Sequence, residues 1–464
     1  MDGRLQVEHI PLARITPDPR NARTHGRSQV RQIADSIAAF GFTNPVLIDE
    51  DNRLIAGHGR REAARRLGHE TIPAIRLRHL SEAQKRALVL ADNKIAANAG
   101  WDIELLAQEL VFLCEAEFDV DVTVTGFAPA EIDIVIEEAR GKAADDRADS
   151  VPPVPEDGTT CVRRSDLWQL GTHRLLCGDA TDRDDVHRLM DNGKAQLIFA
   201  DPPYNVPIDG HVCGSGGIRH REFAMASGEM SAATFTVFLE SAFRNLVAAS
   251  TDGSIHFICM DWRHMYDLLS AARDVYSEQK NLCVWNKNNG GMGSLYRSKH
   301  ELVFVFKNGS SSHINNVELG RHGRYRTNVW DYAGINTFGA ERMADLAMHP
   351  TVKPVAMVAD AILDCSRRGH VVLDSFAGSG TTIIAAERTG RRARALELDP
   401  RYVETAIRRW EQYTGETAIH TGTGLALEAM RDRRSPPADS DHDTPLQSPA
   451  TGSVTPIAEI THGV

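Results

Sequence analysis

The run from Val371 to Asp399 constrains the fold more than any other stretch of this chain. Val371-Val372-Leu373-Asp374 is a short apolar strand ending in an acid. Ser375-Phe376-Ala377-Gly378-Ser379-Gly380-Thr381-Thr382 is a glycine-rich turn, and Ile383 to Thr389 reads as a helix. Arg392 to Asp399 then returns as a second strand, with Glu397 and Asp399 at its end. Strand, helix and strand in this order make a βαβ unit, which places the two strands side by side and parallel. Glycines let a backbone approach a ligand closely, and an acid ending the second strand can accept ribose hydroxyls. A phosphate-binding P-loop would need Gly-Lys-Ser/Thr, and a dinucleotide site would read GxGxxG; Gly378-Ser379-Gly380 is neither. The pattern suits a nucleoside ligand that carries no diphosphate.

A second apolar strand, Leu197 to Ala200, runs into Asp201-Pro202-Pro203-Tyr204-Asn205. Two prolines cannot continue a strand, so the chain turns there. The turn leaves a carboxylate, a carbonyl and an aromatic ring at the carboxyl end of the strand, the edge at which open α/β sheets bind ligands. Asp166–Gly171 and His173–Asp179 read as a strand pair, so Asp179 also ends a strand. Helices are expected over 182–190, 234–248 and 263–272, with strands over 254–259, 281–285 and 301–307. Ile208 to Met230 is glycine-rich and aperiodic, and is expected to be a mobile loop over a nucleic-acid strand. Gly320 to Trp330 interleaves Arg321, Arg324 and Arg326 with aromatic residues, a mixture suited to phosphate contact and base stacking.

Length and composition set the surroundings of these blocks. With 464 residues the chain has room for two or three domains with real cores. A hydrophobic content of 42% and a charged content of 25% are those of a soluble globular protein. No apolar stretch approaches the length of a membrane span, and the N-terminus lacks the apolar core of a signal peptide. The seven cysteines are dispersed, with no CxxC pair, which argues against zinc and against a disulfide framework. No metal site is expected, and the cysteine usage fits a reducing cytoplasm. A net charge of −11 means that nucleic-acid binding would need a local basic face.

The organisation read from these signals begins with an α+β domain over 1–115. Pro45–Asp49 and Arg53–Ala56 form its hairpin, Arg60–Leu67 a helix, Ile72–Leu77 a strand, and Ser81 caps a further helix. Gly57-His58-Gly59 meeting an arginine-rich helix makes an anion site that includes Arg60. A helical connector over 116–142 follows, with helices read over 101–118 and 129–140. The Pro-rich run Val151-Pro152-Pro153-Val154-Pro155 marks a semi-extended linker over 143–160. A catalytic domain is expected over 161–416, and the Ser/Thr/Pro/Gly-rich stretch over 431–464 is expected to be a disordered tail.

Two resemblances attach to these blocks. The first domain resembles the ParB/sulfiredoxin-like N-terminal domain, through Asn44-Pro45, Leu54 to Ala64 and Ala91-Asp92-Asn93-Lys94. ParB proteins bind CTP with Gly-Glu-Arg-Arg, where this chain has His58 and Gly59 in place of the Glu and the first Arg. That departure argues against nucleotide binding and implies a docking or DNA-contacting module. Asp201–Tyr204 followed by Phe376–Gly380 resembles the beta group of amino-methylating DNA methyltransferases, in which the catalytic motif precedes the cofactor motif. Gly178-Asp179 and His349-Pro350-Thr351-Val352-Lys353-Pro354 belong to the same resemblance, which covers about residues 165 to 413. The family usually has Pro where Ser375 stands.

The second resemblance implies a Rossmann-like S-adenosylmethionine-dependent sheet with helices on both faces. It implies methyl transfer from S-adenosylmethionine to the amino group of a flipped base in double-stranded DNA. Adenine N6 is favoured by Asp at the first motif position, and N4-cytosine is the alternative. Asp201, Pro202, Pro203 and Tyr204 would be catalytic. Asp374, Phe376, Gly378 and Gly380 would line the methionine side of the cofactor, Glu397 would hold its ribose and Asp179 its adenine amine. Thr351 and Lys353 would border the methionine carboxylate. A ParB-like DNA-binding protein with a vestigial methylase half, or a methylase of RNA or protein, would be a different class. A homodimer is left open.

Overall fold

Hydrophobic alternation in this chain resolves into two separate sheets. The computed structural model describes residues 5–115, 121–140, 147–156, 158–206, 228–288, 290, 295–320, 324–334 and 352–434. The first sheet comprises β1 (Val7–Pro11), β2 (Val46–Ile48), β3 (Leu54–Ala56) and β4 (Thr71–Arg76), in the order β1-β4-β2-β3. The β2–β3 hairpin turns where Asn52 adopts φ 61° and Asp49 Oδ1 accepts the Asp51 and Arg53 N–H groups. Helix Glu82–Ala97 starts in a capping box formed by Ser81 and Gln84. Helix Arg27–Phe40, which the sequence reading passed over, covers this unit with Val30, Ala34 and Ile37 at helical spacing.

The second sheet has ten strands: β5 (Leu167–Leu170), β6 (His173–Cys177), β7 (Ala195–Ala200), β8 (Ser250–Met260), β9 (Glu278–Asn286), β10 (His300–Lys307), β11 (Val329–Asp331), β12 (Val371–Asp374), β13 (Arg392–Glu397) and β14 (Ile419–His420). Their order is β11-β9-β10-β8-β7-β12-β13-β6-β5-β14. The central five, β8-β7-β12-β13-β6, are mutually parallel, while β10 pairs antiparallel with β8, and β5 with β6.

Helices lie on both faces because the strands alternate. On β7, Leu197 and Phe199 join a core with helices Val355–Cys365, Thr381–Thr389 and Pro400–Thr414. Ile198 and Ala200 join the opposite core, with helices Arg183–Met190, Ala232–Ala248 and Met265–Ala272.

From β7 the chain continues to β8 on one side, and from β12 to β13 on the other. The β7/β12 boundary, where Leu373 pairs with Ile198, is therefore the topological switch point of the sheet.

Two expected boundaries shift. Part of the expected linker is a strap packed on the larger unit: Ala148 belongs to the same buried core as Trp168 and Val355, and so do Cys161 and Val162 just beyond the linker. Asp149 Oδ1 accepts the Val355 N–H, and Arg409 donates to the Ala148 carbonyl. Prolines made this stretch look extended, and its contacts lie some 200 residues away in sequence, out of reach of any local pattern. At the other end, Arg431 and Arg434 close helix Leu427–Arg434 and pair with Glu404 and Asp166. The expected tail therefore begins inside a helix; residues 435–464 lie outside the described residues.

The connector helix Pro129–Arg140 docks on the same unit. Asp133 accepts hydrogen bonds from both Arg391 Nη atoms at 2.9 and 2.8 Å and forms an ion pair with Arg368 at 3.1 Å, and Glu137 pairs with Arg388. Among the described residues, no helix is long and apolar enough to cross a membrane.

Candidate active site

Four parallel strands deliver acids to one edge of the large sheet. Asp201 follows β7, Asp374 ends β12, Glu397 ends β13, and Asp179 lies two residues beyond β6. A single cavity brings all four together, with Pro202, Pro203, Tyr204, Phe376 and Gly378 also in its wall. Lys353 enters from the segment preceding helix Val355–Cys365, and Glu301 from β10.

On the cofactor-type side, Gly380 caps helix Thr381–Thr389 at φ 83°, with no side-chain cap. A Cβ there would lie 2.9 Å from Ala406 Cβ, so the turn requires glycine both for its φ and for its packing. Gly380 thus shapes the turn from behind the wall, while Gly378, at φ 50°, lines the cavity itself. Asp374 accepts from Thr382 Oγ1 at 2.6 Å and from the Phe376 N–H at 2.9 Å. Burial pushes its carboxyl up to about 7 against those two bonds. Glu397 accepts the Gly378 and Asp399 N–H groups, each at 2.8 Å, which fixes its carboxylate at the cavity wall. Burial raises that carboxyl too. Asp179 is oriented by Thr181, whose N–H and hydroxyl both donate to its Oδ1 at 2.8 Å. Phe376 packs edge-on against Phe238, with centroids 6.1 Å apart.

On the other side stands a compact charged cluster. Lys353 Nζ lies 2.6 Å from Asp201 Oδ2, 3.1 Å from Glu301 Oε2 and 3.1 Å from the Tyr204 hydroxyl. The Tyr204 hydroxyl lies 2.8 Å from Asp201 Oδ1 and 3.1 Å from Glu301 Oε2. Burial pushes the Asp201 carboxyl up, opposed by the ammonium of Lys353. Burial would depress Lys353, but Asp201 and Glu301 together raise it. Sequence reasoning set Lys353 beside a methionine carboxylate; here its ammonium faces the Asp201 carboxylate. Thr351 lies outside the described residues.

Asn205 closes this loop in the left-handed region, at φ 51°. Its side chain accepts the Gly228 and Met230 N–H groups and donates to the Met230 carbonyl. Two chain positions more than twenty residues apart are thus pinned together beside Tyr204. Most of the stretch from 208 to 230, expected as a loop, lies outside the described residues.

Among the described residues, the expected basic face is not assembled. Arg324 and Arg326 turn inward, pairing with Asp360 and Asp364 at 2.7 to 3.2 Å. Arg326 also stacks over Trp330 and bonds the Tyr332 hydroxyl. Both guanidinium groups serve the packing of helix Val355–Cys365, because two acids one turn apart on that helix outcompete solvent for them. Arg321 lies outside the described residues. Arg60 donates to the Asn44 and Pro45 carbonyls, so it buttresses the loop before β2 and is not free for an anion.

Glu301, Lys287 and Asn205 escaped sequence reasoning. For Glu301 a signal existed, a lone acid at the start of an otherwise apolar strand. For Lys287 there was none. Among the described residues, no cluster of His, Cys, Asp and Glu is placed to hold a metal ion.

An α/β unit with acids and a glycine-capped helix around one cavity at its switch point is a ligand-binding scaffold. A DNA methylase family model matches residues 195–408, a ParB N-terminal domain model residues 2–94, and a ParB-methyltransferase HTH domain model residues 104–163. The ParB-like nuclease domain-containing protein YnaK of Escherichia coli (strain K12) is 46% identical over 86 residues, covering 18% of this chain and 99% of that protein. The type II methyltransferase M.HinfI of Haemophilus influenzae is 27% identical over 259 residues, covering 51% of this chain and 67% of its own. The DNA adenine methyltransferase YhdJ of Escherichia coli (strain K12) is 27% identical over 231 residues, covering 46% and 75%. The chain joins a ParB-type N-terminal domain to a domain of the N6-adenine/N4-cytosine DNA methylase family.

Proposed function

We propose that this protein methylates the exocyclic amino group of adenine, at N6, in double-stranded DNA, using S-adenosylmethionine. The observation that carries this reading is the position of Asp201 and Tyr204 across one cavity from Asp374, Gly378 and Glu397. The cofactor fits the donor set. Glu397 is an acid at the end of the second strand of a βαβ unit, suited to ribose hydroxyls, and Asp374 is a buried acid suited to an ammonium group. S-adenosylmethionine bound there supplies an electrophilic methyl group on a sulfonium.

The chain's own residues do the rest. A base inside a duplex is out of reach, so it must be flipped out, at a cost of a few kcal/mol. Asp201 then accepts a hydrogen bond from the amino group, and the Pro202 carbonyl takes the second N–H. This holds the nitrogen lone pair toward the methyl group instead of delocalised into the ring, and Tyr204 packs on the base. Orientation of this kind is worth up to about 7–11 kcal/mol. Adenine is favoured over cytosine N4 by Asp at the first position of the loop and by the likeness to a DNA adenine methyltransferase. The ParB-type half is read as a docking or DNA-contacting module, and its substituted loop with an occupied Arg60 speaks against nucleotide turnover.

The test is methyl transfer from S-adenosylmethionine to mixed-sequence duplex DNA, followed by sequencing with detection of modified bases. Asp201→Ala should lower the rate by about 10²–10³-fold, the cost of removing one preorganised polar group at a reacting centre. Full activity in that variant would sink the mechanism, and N4-methylcytosine in the product would move the reading to cytosine.

A further inference from the structure

We propose that Glu301 is a positioning residue for Asp201: it takes over Tyr204 and Lys353 when a substrate amino group arrives. The inference rests on the amino-methylation reading above.

Glu301 lies directly opposite Trp285 in the β9–β10 register. Its Oε1 accepts Lys287, and its Oε2 faces both Lys353 and Tyr204. The two ammonium groups sit over the Trp285 ring, 4.6 and 5.9 Å from its centroid. The indole is itself fixed by a 3.0 Å bond to the Tyr332 carbonyl. Two carboxylates and two ammonium groups thus balance on one buried aromatic platform. Burial would push Glu301 up, but Lys353 and Lys287 hold it down to about 2, so it stays ionised.

Counting donors shows what this balance does. Both oxygens of Asp201 are engaged, Oδ1 by the Tyr204 hydroxyl and Oδ2 by Lys353. Tyr204 has one proton and two carboxylates within reach, so it donates to one of them at a time. Lys353 has three N–H groups and, among the described residues, three polar neighbours, namely Asp201, Glu301 and the Tyr204 oxygen. A substrate amino group can bond to Asp201 only if these donors have somewhere else to go, and Glu301 Oε2 provides it. Without Glu301, Asp201 would be, among the described residues, the single carboxylate acceptor for the Tyr204 proton and the single counter-ion for Lys353. In a buried site that pairing is strong, and the clamp would stay closed.

Two variants of the full-length protein separate charge from hydrogen-bond acceptance. Glu301→Gln keeps the size and one acceptor oxygen, and Glu301→Leu keeps comparable bulk but has no acceptor. Single-turnover methyl transfer should fall by about 10-fold in the first and about 100-fold in the second, the scale set by misplacing a reacting group. Affinity for S-adenosylmethionine, measured by calorimetry, should change less than about twofold, since the cofactor side of the cavity is untouched. The conservative Lys287→Met should give a smaller loss of the same kind. In a Tyr204→Phe background the Glu301→Gln defect should shrink, because the competing proton is gone. Strictly additive effects, or cofactor affinity falling in step with the rate, would overturn the inference. A rate loss in Asp201→Asn alone, with Glu301→Gln at wild-type rate, overturns only the role of Glu301. No loss in either variant overturns the methylation reading with it.

Discussion

Two glycine turns of this chain start helices in the same way and differ in what surrounds them. Gly57 opens helix His58–Leu67 at φ 97°, and Gly380 opens Thr381–Thr389 at φ 83°; neither has a side-chain cap. Each leaves first-turn N–H groups and the positive end of a helix dipole for an anion or a polar ligand. At Gly380, three strand ends bring Asp374, Glu397 and Asp201 around a cavity. At Gly57 the space is filled: a Cβ on Gly59 would lie 2.7 Å from Ile33 Cδ1, His58 accepts the Asp18 N–H, and Arg60 and Arg61 donate to backbone carbonyls. A glycine turn thus supplies a potential site, and the neighbouring strand ends decide whether it becomes one.

The largest expected effect comes from separating the two regions. Asp133→Ala leaves Arg391 buried without its carboxylate, which should destabilise the protein by about 3–5 kcal/mol in urea unfolding. Cofactor binding at low temperature should survive, since Gly380 opens helix Thr381–Thr389 and Arg391 lies beyond its far end. Loss of binding in the folded variant would mean that the cavity depends on the connector helix.

Next come the two glycines. Gly380→Ala and Gly57→Ala each force a left-handed φ and a close contact, at 2.9 Å from Ala406 Cβ and 2.8 Å from Val46 Cγ1 respectively. Each should cost about 2 kcal/mol or more. Only Gly380→Ala should also weaken binding of S-adenosylmethionine, as read by the cofactor-induced rise in Tm. An equal weakening in both variants would break the comparison.

A smaller difference should appear with pH. The folded-state Asp374 carboxyl, at about 7, lies above the ordinary carboxylate range. The native state therefore holds this proton at pH values where the unfolded chain has released it. The stability it contributes is present at low pH and is lost as pH rises through the window from about 4 to 7. Asp374→Asn should flatten that part of the stability curve, measured by chemical unfolding across the window. Cofactor binding to the wild type should release a proton near pH 7 if Asp374 meets a cationic group, and a buffer-independent binding heat would contradict that.

The smallest effect concerns Arg324. Because it is held by Asp364 and Asp360, Arg324→Ala should leave the salt dependence of DNA binding unchanged, while lowering stability through the unpaired Asp364. A slope reduced by about one unit would restore it as a phosphate contact.

Much of the scaffold was legible. The strand–turn–helix from Val371, the Leu197–Ala200 strand and its proline stop, and the Ser81 cap all appear at or within a few residues of their expected places. So does helix Pro129–Arg140, at its expected ends. These features depend on φ limits, cap chemistry and period, which act over a few residues. Helix Arg27–Phe40 and the docking of 147–162 were not legible, because their packing partners are remote in sequence. The acids of the cavity could be placed at one edge because each ends a parallel strand. The partner of Lys353 could not, because its long side chain reaches toward β7 and β10, far from its neighbours in the chain.

By itself, the sequence determined the backbone directions: where strands stop, which turns need glycine, and which acids stand at strand ends. Those follow from sterics and period, both short-range. Only the tertiary structure decided which charged groups remain available. Arg60 read as part of an anion site and Arg324 and Arg326 as part of a basic segment, and all three are consumed internally, while Glu301 read as part of a strand and stands beside Asp201. The physical reason is that a flexible charged side chain takes the strongest partner within reach in space, and only the folded chain sets what lies within reach.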